Sequence, residues 1–248
     1  MRPKRFLLAR GPLFLLGIVA VAVASSVAAV FARGASPQGT AAVRAAVTLS
    51  STSLTFPAQP VGSVSQPQRV TLTNSGQAPL AINSVTASGD YRVSVNTCRG
   101  SIPTGKACTM SIIFNPKAPA ARQGTVLVHD NAPGSPHRIV LSGKGSDFSV
   151  SVGPGSASIT PGQQTVYRLT VTPHYEFDRT VAMRCSGVPS GLSCSVSPSM
   201  MKLTGSGAST ASVTVRATPR AAKGNFKLGL TATHGQMSKG TNVTLIVK

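Results

Sequence analysis

Arg69-Val70-Thr71-Leu72-Thr73-Asn74-Ser75-Gly76 decides the fold class. Polar and apolar residues alternate with a period of two, which places Val70 and Leu72 on one face of a strand. Asn74-Ser75-Gly76 then supplies turn residues. Met110, Ile112 and Phe114 alternate in the same way. Around these two stretches, strand-like runs recur at Val47–Phe56, Leu80–Ala87, Tyr91–Val95, Gly124–Val128 and Arg138–Leu141. Ser88-Gly89-Asp90 and Asn131-Ala132-Pro133-Gly134 punctuate them. No segment here sustains a 3.6-residue apolar period. About seven short strands in roughly 100 residues predict a β-sandwich.

A second series begins directly after Gly145 with Asp147-Phe148-Ser149-Val150. It continues through Thr165–Thr172, Thr180–Cys185, Ser193–Val196, Ala211–Ala217, Phe226–Thr233 and Asn242–Val247. The expected architecture is all-β: two tandem immunoglobulin-like β-sandwiches, at 47–145 and 146–248, after an N-terminal apolar helix.

Leu54-Thr55-Phe56, Val70-Thr71-Leu72-Thr73-Asn74-Ser75-Gly76 and Leu80-Ala81-Ile82 together resemble the bacterial choice-of-anchor D repeat. That repeat belongs with the abnormal-spindle and Hydin-type domains of major sperm protein-like fold. The likeness continues through Cys98, Cys108, Phe114-Asn115-Pro116, Gly124-Thr125-Val126, Asp130–Pro136 and Leu141–Gly145. It implies an immunoglobulin-like fold and a modular architecture, not an activity. Cys185–Cys194 resembles, more loosely, a segment of extracellular bacterial Ig-like repeats.

The N-terminus carries Arg2, Lys4, Arg5 and Arg10 before an uncharged apolar run that ends at Ala32. Residues 13–32 as a helix would span about 30 Å, enough for a bilayer core. Ala22-Val23-Ala24 before Ser25 also matches a signal-peptide cleavage pattern. Residues 1–34 are therefore read as a signal peptide or an uncleaved membrane anchor, and both stand. Residues 35–46 read as a spacer. Either way the rest is expected outside the cytoplasm of a bacterial cell: anchored in the inner membrane and facing outward, or secreted.

The chain carries 24 Lys and Arg against 5 Asp and Glu, a net charge of +19. The excess is spread evenly. Residues 47–145 hold eight basic and two acidic side chains, and residues 146–248 hold ten and three. Such a field favours anionic partners: envelope polysaccharide, lipid head groups or extracellular DNA. No specific nucleic-acid motif accompanies it.

Cys98 and Cys108 are ten residues apart; Cys185 and Cys194 are nine apart. Each pair lies within one expected domain. Two local disulfides, Cys98–Cys108 and Cys185–Cys194, suit an oxidising compartment. Structural zinc sites usually place paired cysteines two to four residues apart, which these spacings do not match. Free buried thiols are the other alternative.

Enzymatic signatures are scarce, so neither a catalytic residue nor a cofactor or metal is assigned. Gly100-Ser101-Ile102-Pro103-Thr104-Gly105-Lys106 has phosphate-loop spacing, but Ala107 stands where a magnesium-binding Ser or Thr is needed. Glu176 and Asp178 are close in sequence, yet read as a solvated turn. His129, His137, His174 and His234 lack metal-ligand spacing. No G-x-S-x-G elbow occurs. With no Trp and three Tyr, only Tyr91, Tyr167 and Tyr175 are candidate sugar-stacking aromatics. The expected function is a non-enzymatic envelope or secreted module with an adhesive, scaffolding or spacer role. The alternative is a basic binding module for an anionic polymer.

Overall fold

The computed structural model describes residues 42–248. The expected leader, its membrane segment at 13–32 and most of the spacer lie outside the described residues. Those residues are all-β, without helix, and form two immunoglobulin-like sandwiches.

The first sandwich uses β1 (Val47–Leu49), β2 (Ser53–Thr55), β3 (Gln59–Pro60), β4 (Gln68–Asn74), β5 (Leu80–Ala87), β6 (Tyr91–Asn96), β7 (Gly100–Ile102), β8 (Ala107–Phe114) and β9 (Ala120–Asp130). A long strand, β10 (His137–Gly153), follows. The second sandwich adds β11 (Ser156–Ile159), β12 (Gln164–His174), β13 (Thr180–Ser186), β14 (Leu192–Ser197), β15 (Met200–Lys202), β16 (Ser209–Ala217), β17 (Gly224–His234) and β18 (Met237–Val247).

One sheet of the first sandwich has the order β1-β4-β8-β6. Its partner contains β10, β9, β5 and β7, with β2 and β3 added in parallel to β10. The run Val47–Phe56, expected as one strand, is divided between the two sheets. Val47–Leu49 pairs with β4, whereas Ser53–Thr55 pairs with Val140–Ser142 of β10. The chain crosses between sheets at Ser50–Thr52. The alternation was legible; the change of partner is a tertiary choice.

The core follows the period-two pattern. Val70, Leu72, Met110, Ile112 and Phe114 are all fully buried. Phe56, Tyr91 and Phe114 form an aromatic cluster with ring centroids 4.8–5.9 Å apart. Gly143 makes room for it: a Cβ there would sit 2.8 Å from the Phe114 ring.

The second sandwich faces β14-β16-β12-β10 against β11-β18-β17-β13-β15. Its core includes Phe148, Tyr167, Leu169, Phe177, Val213, Leu228, Leu230 and Leu245. The series expected from Asp147 is not a new strand. It is the second half of β10, whose first half pairs with β9 through Gly145↔Ala120 and whose second half pairs with β12 from Asp147↔His174. The expected boundary between residues 145 and 146 thus falls inside one strand. Ile139 and Leu141 point into the first core, but Phe148, Val150 and Val152 pack on the second. The inward parity changes across Gly145 and Ser146, both buried.

Disulfide bonds join Cys98 to Cys108 and Cys185 to Cys194. The first ties the end of β6 to β8 inside the core. The second ties β13 to β14 and so links the two sheets of the second sandwich.

Candidate interaction surface

Each of the five carboxylates has a cationic or imidazole neighbour. Arg122 Nε donates to Asp90 Oδ2 at 2.6 Å, and Lys239 Nζ to Asp147 Oδ2 at 2.8 Å. Lys144 pairs with Glu176, and Arg179 with Asp178. His137 Nε2 lies 3.4 Å from Asp130 Oδ2, and the Asp130 side chain is fully buried. The close sequence pair Glu176 and Asp178 is therefore split between two separate ion pairs. Only four of the nineteen Lys and Arg among the described residues pair with a carboxylate; the other fifteen do not.

The outward positions of the sheets are mostly hydroxyl-bearing. In the register of β14, β16 and β12, Ser193, Arg216 and Gln164 form one row, and Ser197, Ser212 and Arg168 another. Arg216 donates to Gln164 Oε1 at 2.8 Å. On the opposite sheet, Arg184 pairs with Thr231 and Lys227 with Thr244. Both faces therefore carry cations. Period-two alternation explains this: Ser, Thr and the basic residues occupy the solvent-facing parity of each strand.

The sequence-selected residues separate under these contacts. Gly100–Lys106 begins in β7 and ends in a turn closed by Lys106 N–H to Pro103 O at 3.0 Å, with no helix behind it. Tyr91 and Tyr167 are core residues at 5% and 0% exposure, which removes them as sugar contacts. Their hydroxyls donate to Arg122 O and Thr244 O. Tyr175 alone of the three is exposed. His174 bonds Ser149, and His234 bonds Thr180 O; the two are held apart on separate partners. Among the described residues, no three His, Cys, Asp or Glu side chains gather as a metal would require.

A shallow depression of about 300 Å³ opens on the first sandwich beside Val64, Tyr91, Arg92, Ile113, Asn115 and Lys117. Asp90 forms part of its wall. Burial pulls the Asp90 carboxyl upward, but the Arg122 hydrogen bond, the Lys117 N–H and both positive charges carry it below the usual aspartate value. Tyr91 behaves oppositely. Burial, helped by the Asp90 charge, pushes its hydroxyl up to about 12. Unfolded tyrosine ionises near pH 10. Above that value the unfolded chain loses its proton first, so stability should fall as pH rises toward 12. Tyr91→Phe should flatten this alkaline decline in a denaturation series. Tyr167, also raised by burial, should preserve part of it. An unchanged slope in the variant would contradict the assignment.

A family model described as a protein of unknown function (DUF1573) matches residues 48–145. No curated protein matches the chain. Among solved structures, the secreted serine protease VesC of Vibrio cholerae is 10% identical, with a TM-score of 0.35. The match covers 73% of this chain and 48% of VesC, so the chain spans about half the length of that protein. The ASH/PapD-like domain 7 of human CEP192 is 18% identical with a TM-score of 0.33; 50% of this chain and 97% of that domain are covered. The D0-D1 domain of intimin is 11% identical with a TM-score of 0.30, covering 82% of this chain and 98% of that one. None of these likenesses bears on activity.

Proposed function

We propose that this protein is an exported, non-enzymatic spacer or scaffold of the bacterial envelope. Its first sandwich would be a choice-of-anchor D type module. The observation that carries this reading is β10, which serves both sandwiches as one strand. No flexible linker intervenes, because the backbone groups around Gly145 and Ser146 are committed to pairing. Gly145 pairs with Ala120 and with Gln59, and Val61 N–H donates to Ser146 O at 3.0 Å. The ion pairs of Lys144 with Glu176 and Lys239 with Asp147 lie beside it. A shared strand holds two modules at a set separation, as a spacer requires. Cations on both outer faces of the second sandwich, rather than on one, also suit a structural module more than a face that reads a ligand. The two disulfides support export, since such bonds persist in oxidising compartments.

The test is a distance measurement. Spin labels attached through unnatural side chains at Thr48 and Asn242 place one probe on each sandwich of the full chain. Pulsed electron resonance should give one narrow distance distribution. A broad distribution would mean independent modules and would defeat the spacer reading.

A further inference from the structure

The charges of the second sandwich are sorted along its length. The strand register defines its two ends. Asp147 and His174 are paired at the end nearest the first sandwich, and the loop from Tyr175 to Arg179 follows there. At the far end Gln164 pairs with Arg216, Gly224 pairs with Val247, and Thr218–Lys223 links β16 to β17. Asp147, Glu176 and Asp178, the only carboxylate side chains of this sandwich, all lie at the near end. Each is neutralised there by a cation.

The far end holds no carboxylate side chain. It presents Arg216, Arg220 and Lys223, all exposed, with Lys227 a few residues down the adjoining strand. The loop bearing Arg220 is fixed rather than loose. Ala221 is buried, its N–H donates to Thr218 O at 3.0 Å, and Thr218 N–H donates to Gly191 O at 2.8 Å. Arg220 is thereby held just past the end of β16, where Arg216 stands, and Lys223 directly precedes β17 at the same end of the sandwich.

We infer that this far tip is a contact site for an anionic polysaccharide. Cations on an ordered loop that no side-chain carboxylate pairs with concentrate positive potential at one end of the module and attract a polyanion there. Ser193, which pairs with Arg216, and Thr218 in the loop add hydroxyls there, groups that exchange hydrogen bonds with sugar hydroxyls. A membrane surface is a poorer match. Interfacial insertion uses exposed large apolar side chains, and the tip loop carries none; the nearest, Val166 on β12, is a single valine two residues from Gln164. Duplex DNA would meet the same charge but would not need the hydroxyls. This site goes beyond the spacer role and can fail while the shared strand stands.

The test compares two double charge reversals in the full chain, in detergent. Arg220→Glu with Lys223→Glu alters the tip. Arg69→Glu with Arg99→Glu, both exposed on the first sandwich, makes the same change in net charge elsewhere. Affinity for heparin and for polygalacturonate is measured at low and moderate salt, with unchanged thermal unfolding as the check on folding. The tip variant should lose about tenfold or more in affinity for both polymers, and the control less than about twofold. Binding by the unaltered chain should weaken as salt shortens the Debye length to about 10 Å at 0.1 M. Equal losses in both variants would mean that net charge alone binds, and would overturn the site. So would absence of binding at low salt. Tip dependence seen with duplex DNA, measured in parallel, but with neither polysaccharide would overturn the choice of polysaccharide.

Discussion

Gly145→Val should destabilise the protein by about 2–3 kcal/mol, the upper part of the usual range of about 1–3 kcal/mol for forcing atoms into a packed site. A Cβ at Gly145 would lie 2.1 Å from the carbonyl oxygen of Ala118 and 3.1 Å from Pro116. The nearest obstacle is backbone, so it cannot swing aside as a side-chain tip would. Nor can the loop retreat cheaply. It leads into Ala120, which pairs with Gly145 and already has a left-handed φ of 76°. Ala120, Tyr175 and Glu176 are the non-glycine residues with positive φ among those described. One pairs directly with Gly145, and the other two open the loop after His174, the partner of Asp147. Strained conformations of this kind persist where surrounding structure over-determines them. For a chain of this size the expected fall in melting temperature is about 5–10 °C. Gly155→Val is the control, because a Cβ there meets nothing within 4 Å. If both variants melt together near the parent temperature, the junction is not packed as described. The Thr48–Asn242 distance should also broaden in Gly145→Val if the shared strand sets the spacing.

Phe177→Ala should cost more, about 3–5 kcal/mol, because truncating a buried Phe loses transfer energy and leaves a cavity. Phe177 is fully buried. Its ring lies 5.1 Å from Phe148 and meets the edge of His234 at 5.4 Å. Phe148 is the first β10 side chain to enter the second core, so this pair seals the core at the end that meets the first sandwich. Phe177→Leu, which retains most of the volume, should cost clearly less than the alanine variant. Denaturant unfolding followed by circular dichroism gives both values. A loss below about 1 kcal/mol for alanine would mean that the site collapses or that Phe177 is not in the core.

Phe177 also marks where the sequence stops being informative. It falls outside every alternating run, between two left-handed residues and a charged turn. Nothing local announces that it returns to the core. Tyr91 and Tyr167 illustrate the same gap from the other side. Their composition allowed a surface role, and only packing assigned them to the interior with their hydroxyls on backbone carbonyls. The short strands β3, β7, β11 and β15 likewise carry no local signal in the sequence. Two to four residues cannot display a period, and such strands exist because a neighbouring strand offers its edge.

By itself the sequence determined the class of fold, since period-two alternation with Asn, Ser, Gly and Pro turns admits strands and excludes amphipathic helices. It determined the inward sets Val70/Leu72 and Met110/Ile112/Phe114, because side chains on a strand have only two faces. It also determined the positive field, which is a matter of counting. The tertiary structure alone decided that Arg138–Leu141 and Phe148–Val150 belong to one strand. Gly145 and Ser146 interrupt the alternation, and continuity there depends on pairing with residues far away in the chain. The same long-range pairing decided which cations are neutralised. The carboxylates were countable in advance, but gathering those of the second sandwich at one end, and leaving the other end basic, is a property of the register.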